Sequence, residues 1–302
     1  MKKGDKGSNV KDLQYKLKKV LNKRITVDGD YGNGTKQAVW EFQELYNLHV
    51  DGIAGTNTIA VLDRVYKAMH VNNSNLLTFN KNRFVVFVDA GHGGISDSGE
   101  YVTSGKRGYH KELNLHDGGH YYEGYENRIV AEMFIEELTK KGIMAIRTYH
   151  PYKDTSLSSR TELVRSWLKR GYYGYLHSFH SNAISSTNSS SKLENTVGYC
   201  VYSTRGDNLS DEITEQHFNN VKSTVSDWKF RTQGSDGDSD FEANFQLLRE
   251  TDLKEFDKFG SILDEWGFHT SGKDCQKIIE TRDERVSACL KTAKWVKNKL
   301  DN

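Results

Sequence analysis

Five consecutive apolar residues, Phe84-Val85-Val86-Phe87-Val88, run without interruption into Asp89-Ala90-Gly91-His92-Gly93-Gly94. Side chains along a strand point alternately to opposite faces, so a strand that is apolar throughout must be covered on both. That requirement predicts a parallel sheet sandwiched between helices. The glycine-rich stretch that ends the run reads as a loop at the carboxyl edge of the sheet, where open α/β folds carry their sites. Downstream, the pattern predicts a helix over about 123–141, a strand over 143–148, a helix over 157–170 and a strand over 172–179. A strand near 197–202, a helix near 209–226, two short strands near 245–248 and 261–264, and one closing helix over 273–299 complete the reading. The expected fold is a three-layer α/β domain with a central, mostly parallel twisted sheet and helices on both faces.

The chain ahead of that run is organised differently. Val27-Asp28-Gly29-Asp30-Tyr31-Gly32-Asn33-Gly34-Thr35 is echoed by Val50-Asp51-Gly52-Ile53-Ala54-Gly55-Thr56-Asn57-Thr58. Each copy reads as a Gly-rich turn ending in a Thr placed to N-cap a helix. Ala38, Val39, Phe42 and Tyr46 then recur at helical spacing after the first, and Ile59, Val61, Leu62 and Val65 after the second. Ser8 or Asn9 is placed to cap an earlier helix with the stripe Val10, Leu13, Leu17 and Val20. A small three-helix all-α domain is therefore expected over 1–69. Its turn aspartates do not read as calcium loops of the EF-hand type, because the position requiring a bidentate Glu is Val39 in the first loop. The polar, Asn-rich residues 70–82 read as a linker, leaving 83–302 as the α/β catalytic domain.

Charge and composition narrow the partners. Among 302 residues, 42 Lys+Arg face 41 Asp+Glu, a formal charge of +1 that argues against a nucleic-acid binder. No stretch approaches the ~18 to 20 apolar residues of a membrane span, so no membrane insertion is expected. Residues 1–70 hold 12 Lys+Arg and 8 Asp+Glu, a mildly basic balance suited to an anionic polymer. Three cysteines, with no CxxC spacing, read as reduced thiols. The basic start Met1-Lys2-Lys3 has no apolar stretch behind it, so synthesis in the host cytoplasm without a signal peptide is expected.

His92 and His180 both fall just after expected strands, at the same edge of the sheet. Either imidazole alone reads as an ordinary hydrogen-bonded residue. Together with one carboxylate and an open fourth position, however, two imidazoles make a catalytic zinc site. A Glu at the start of the intervening helix would complete it.

Three segments carry a resemblance: Val88-Asp89-Ala90-Gly91-His92-Gly93-Gly94, Ser178-Phe179-His180-Ser181-Asn182-Ala183 and Ile262-Leu263-Asp264-Glu265-Trp266-Gly267-Phe268. Over about residues 83–298 the chain resembles the zinc-dependent N-acetylmuramoyl-L-alanine amidases of the amidase 3 type. Over residues 4–68, from Gly4-Asp5-Lys6-Gly7-Ser8 through both DG turns, it resembles the peptidoglycan-binding type 1 domain of cell-wall hydrolases. Arg147-Thr148 reverses the order of a family pair, and Asp154, Leu157 and Arg160 fit the family stretch that follows. The resemblance implies Zn2+ held by His92, a helix-opening Glu and His180, with Glu265 as general base and then acid. Glu123 has the family spacing and shares a face with Asn127, Val130, Phe134 and Leu138, so it is the expected ligand, with Glu126 as the alternative. Glu112 is the weakest candidate because Gly118-Gly119 follows it. Residues 95–122, with His110, His116 and His120, read as an exposed polar insertion over the substrate groove rather than a second metal site. Lys106 and Arg107 in it, together with Asn182, are expected to touch substrate, and Trp266 to narrow the pocket.

What the resemblance implies in function is hydrolysis of the amide between N-acetylmuramic acid and L-alanine in bacterial peptidoglycan by zinc-activated water. A zinc peptidase cutting within the stem peptide and a catalytically dead wall-binding protein are the alternatives. A wall enzyme without an export signal points to a phage endolysin released through a holin pore, or to a mother-cell lysin freed at lysis.

Overall fold

The computed structural model describes residues 1–302 apart from 22, 47, 49, 71–82, 97, 98, 207 and 234–237. The expected linker thus lies outside the described residues, except for His70 at the end of a helix. The chain divides into two compact units, Met1–Asn82 and Arg83–Asn302.

The first unit contains α1 (Ser8–Val20), α2 (Asn33–Leu45) and α3 (Thr56–His70). Val10, Leu13, Leu17, Val20, Ala38, Val39, Phe42, Leu62 and Val65 are buried, as their helical spacing requires. The caps differ from expectation. Helix α1 follows Gly7 with no side-chain cap, so neither Ser8 nor Asn9 serves as one. Thr35 and Thr58 lie inside α2 and α3, where their hydroxyls accept hydrogen bonds from two glutamines. Gln14 donates to Asp28 Oδ1, the Asp30 carbonyl and Thr35 Oγ1 at 2.8, 3.0 and 2.9 Å, and accepts from the Gly29 N–H at 2.8 Å. Gln43 repeats the arrangement, donating to Asp51 Oδ1, the Ile53 carbonyl and Thr58 Oγ1 and accepting from the Gly52 N–H. Asp28 and Asp51 also accept from backbone N–H groups two residues on, so both act as turn formers. The echo in the sequence is therefore one device used twice: a buried amide saturating the polar groups of a turn.

The second unit runs β1 (Phe84–Ala90), β2 (Arg107–Tyr109), β3 (His120–Tyr122), α4 (Glu123–Lys140), β4 (Met144–Arg147), α5 (Leu157–Leu168) and β5 (Tyr173–Asn182). It continues through α6 (Ser190–Asn195), β6 (Cys200–Ser203), α7 (Leu209–Thr224), β7 (Phe241–Glu242), α8 (Gln246–Arg249), β8 (Phe259–Phe268), α9 (Gly272–Glu280) and α10 (Arg282–Asp301). Six strands form a mostly parallel sheet in the order β4-β1-β5-β8-β6-β7, with β6 antiparallel to β8. Every residue of β1 is buried. Val86 and Val88 join Val130 and Phe134 of α4, Val221 of α7 and Val296 of α10 in one core. Leu163, Val164 and Trp167 of α5 and Leu247 and Leu248 of α8 are buried outside that core, which places these helices on the other face. Among the described residues, no helix is long and apolar enough to cross a membrane.

Three expectations are corrected. Residues 245–248 do not form a strand: Phe245 precedes the short helix α8 and 246–248 lie in it, because Phe-Gln-Leu-Leu is too short for its period to separate the two states. The closing helix is two helices that meet at Thr281. The insertion is not exposed throughout: β2 and β3 pair antiparallel, and Tyr121 and Tyr122 are buried.

Gln14→Ala leaves the Gly29 N–H without its acceptor, a loss of about 1–3 kcal/mol for one buried unsatisfied group. Calorimetry should show the transition of the first unit shifted down and that of the second unchanged.

Candidate active site

Strands β1, β5 and β8 are parallel, so their carboxyl ends share one edge of the sheet. Ala90 pairs with Phe179 and His180 with Glu265, which brings the loop after β1, the end of β5 and the end of β8 together. The first residue of α4 arrives at the same edge. Gly91 is required there, since a Cβ on it would lie 2.1 Å from Cε1 of His180. Gly124 is required for a similar reason: a Cβ would meet the Gly93 carbonyl oxygen at 2.0 Å, so only glycine lets α4 start so close to the loop.

His92 adopts a left-handed backbone with φ 63°, a conformation that a non-glycine residue holds only when its surroundings impose it. Here two guanidinium groups impose it. Arg128 donates to the His92 carbonyl at 2.7 Å and Arg160 at 3.4 Å. Arg128 further ties down the carbonyls of Gly124, His150 and Lys153, and Arg160 those of Ala90 and Thr155. Arg160 also forms a buried ion pair with Asp89 at 2.7 Å, and Asp89 accepts from the hydroxyls of Ser178 and Thr148. Burial alone would push the Asp89 carboxyl up, but Arg160 and the two hydroxyls outweigh it and hold the pKa below the usual range.

His92, Glu123 and His180 converge. Glu123 Oε1 lies 3.4 Å from His92 Nε2 and 3.2 Å from His180 Nδ1, and the two rings meet edge-on at 5.2 Å. Two ligands at ~2.0–2.1 Å from a tetrahedral ion sit about 3.3–3.4 Å apart, so these spacings suit a metal such as zinc. Glu123 is buried while both histidines are partly open, and its Oε2 has no hydrogen-bond partner. Burial opposes its charge, yet the two imidazoles hold its pKa well below the ordinary value. His269, which the sequence reading passed over, places Nδ1 at 3.7 Å from Glu123 Oε2 and is itself fixed by Ser181. Nothing local marks it, because its partners lie on α4 and β5.

Glu126 is brought to a different place. It is ion-paired with Arg282 and Arg285 and bonded to His116 at 3.1 Å, so it is not available beside His92 and His180. Glu112 is exposed in a turn. The three insertion histidines go to separate partners: His110 to the His269 carbonyl, His116 to Glu126 and His120 to a stack on Tyr122.

Glu265 is partly buried and its Oε2 has no partner. Burial first, and the neighbouring Glu123 charge second, push its pKa well above the ordinary value, while Lys106 opposes the shift. Arg107 lies exposed on β2, and Asn182 contacts Cys200 Sγ at 3.9 Å from the end of β5. Arg147 pairs with Glu132, and Asp154 accepts from Thr103 in the insertion. Trp266 is wholly buried and donates to Asp264 at 3.0 Å, so it packs into the core instead of narrowing a pocket.

A second cluster was not foreseen. His177, His217, Asp264 and Cys289 are all buried within one group. Asp264 is contacted by Nε2 of His177 at 2.7 Å and of His217 at 3.1 Å, and accepts from Tyr199 at 2.6 Å as well as from Trp266. A carboxylate so supplied stays ionised without water, and its pKa is held below the usual range against burial. The network thus ties β8 to β5 and α7 one residue before Glu265.

Residues 86–293 match the family described as N-acetylmuramoyl-L-alanine amidase, and residues 6–62 match a peptidoglycan binding domain. Among solved structures, the chain is similar to an N-acetylmuramoyl-L-alanine amidase from Clostridium difficile 630, with 23% identity and a TM-score of 0.51 over 69% of this chain and 94% of that one. It is also similar to the amidase AmiC2 of Nostoc punctiforme, with 18% identity and a TM-score of 0.51 over 71% and 97%. At these identities the likeness speaks for the fold. A comparison with curated proteins gives no match.

Arg160→Met leaves Asp89 buried without its cation, a loss of about 3–5 kcal/mol near neutrality. Because the Asp89 pKa is lowered in the folded state, the stability it contributes is present above the unfolded value of ~3.9 and lost as pH falls below it. Denaturation at pH 7 and pH 3.5 should therefore show the gap between wild type and variant narrowing in acid. An equal gap at both would count against the ion pair.

Proposed function

Since the chain belongs to the N-acetylmuramoyl-L-alanine amidase family and carries a peptidoglycan binding domain, we propose that this peptidoglycan amidase is zinc-dependent and cuts the bond between N-acetylmuramic acid and L-alanine. One observation carries the zinc reading: the buried Glu123 carboxylate faces His92 and His180 at ligand-to-ligand spacing, with an oxygen that no hydrogen-bond donor satisfies. His92, Glu123 and His180 would hold the ion. When bound, zinc polarises the scissile carbonyl and acidifies water.

The remaining work falls to the chain. Glu265 takes a proton from the attacking water and returns it to the leaving amine. Its raised pKa suits that exchange, since burial and the Glu123 charge let this carboxyl take up a proton more readily than an ordinary Glu. Lys106, Arg107 and Asn182 orient the substrate from the hairpin and the end of β5. Residues 1–69 anchor the enzyme to an insoluble polymer, and tethering raises the local concentration of cleavable bonds seen by residues 83–302. The three cysteines are free and buried, which suits an enzyme made in the host cytoplasm and freed at lysis, as a phage endolysin is through a holin pore.

Mass spectrometry of digested cell wall should find new L-alanine amino termini and an intact glycan; fragments cut within the stem peptide would reassign the enzyme as a peptidase. Glu265→Gln should lower kcat by about 10²–10⁴ while binding to wall sacculi is kept. Chelation should abolish activity and zinc restore it. The base form of Glu265 is the active one, so kcat/KM should climb with pH through a limb lying well above the ordinary Glu value of about 4.3. A limb that Glu265→Gln leaves in place would remove Glu265 from the proton transfer.

A further inference from the structure

Away from the active site, three carboxylates meet where the loop before β7 crosses the first turn of α7. Asp211, Asp238 and Asp240 each offer an oxygen within 4.8 Å of the others. Ser239, between the last two, donates its backbone N–H at 3.0 Å to Glu215, one turn along α7 from Asp211. That bond seats the loop on the helix and turns its flanking aspartates towards Asp211. Asp240 is only 1% exposed, and neither of its carboxylate oxygens has a hydrogen-bond partner. The Ser203 hydroxyl, whose proximity favours the charged form, gives its proton to the Thr204 carbonyl. Among the described residues no cation pairs with Asp240.

A buried carboxylate facing two others is costly unless something positive stands between them. We propose that Asp211, Asp238 and Asp240 form a calcium site, separate from the catalytic centre, that fastens β7 to the start of α7. The donor set is all oxygen, which selects a hard cation over zinc. Oxygens bound to one calcium at ~2.3–2.6 Å are separated by at most about 5.2 Å, so the observed convergence fits. Asp238 and Asp240 at alternate positions also present ligands with the spacing that calcium loops use. Three carboxylates leave room for water to complete a coordination of 6–8.

The test uses the full chain loaded with zinc and no chelator. Calorimetric titration with calcium chloride should give one site with a Kd of about 10⁻⁴–10⁻³ M, the range of extracellular calcium modules. Saturating calcium should raise the thermal midpoint by roughly 2 °C or more, and equal magnesium should not. Asp240→Asn should remove both the binding heat and the calcium-dependent rise. In the absence of calcium it should be at least as stable as wild type, since it relieves the crowded charge. Asp238→Asn, at a less buried position, should behave alike if Asp240→Asn fails to fold. No binding heat in wild type, an equal response to magnesium, or an undiminished calcium response in the variants would each overturn the proposal.

Discussion

Two buried guanidinium groups hold the chemistry in place. Arg128 and Arg160 reach the loop after β1 from α4 and α5, and between them they bind the carbonyls of Ala90 and His92, four other carbonyls and the Asp89 carboxylate. The His92 carbonyl lies beyond the end of β1, where the sheet ladder no longer reaches it. A guanidinium offers five donors in a rigid plane and stays charged when buried, which suits it to such a task. Burial and the nearby Arg160 lower the Arg128 pKa to about 10, still far above neutrality. The strained backbone of His92 is a consequence: its carbonyl is drawn towards both arginines, and the imidazole is thereby turned towards Glu123.

The parts of this arrangement that are local in sequence were legible, and the parts that are long-range were not. Phe84–Val88 announced a doubly covered strand, and the 18 residues of α4 begin at Glu123, where helical phase placed the carboxylate. The two DG turns announced themselves by repetition. Gln14 and Gln43, which saturate those turns, carried no signal, since a polar residue on an otherwise apolar helix face looks like ordinary variation until its partners are known. Arg128 and His269 escaped for the same reason. The insertion was misjudged because its composition is polar; Tyr121 and Tyr122 bury their rings, and His116 and His110 pass a ring nitrogen to Glu126 and to the His269 carbonyl respectively.

The three glutamates at this edge of the sheet differ by what faces them, not by intrinsic chemistry. Glu123 and Glu126 are one turn apart and equally buried. Guanidinium groups of α10 satisfy Glu126, which makes it a clamp between helices, whereas Glu123 meets the His92 and His180 rings and keeps an oxygen without a hydrogen-bond partner. Glu265 meets neither, and the adjacent Asp264 sharpens the contrast. These neighbours on β8 point to opposite faces, Asp264 into a ring of donors and Glu265 towards the Glu123 carboxylate, so their pKa values move in opposite directions. Such a divided pair suits the proton transfer proposed for Glu265, with Asp264 fixed as structure while the next carboxylate is free to change its charge.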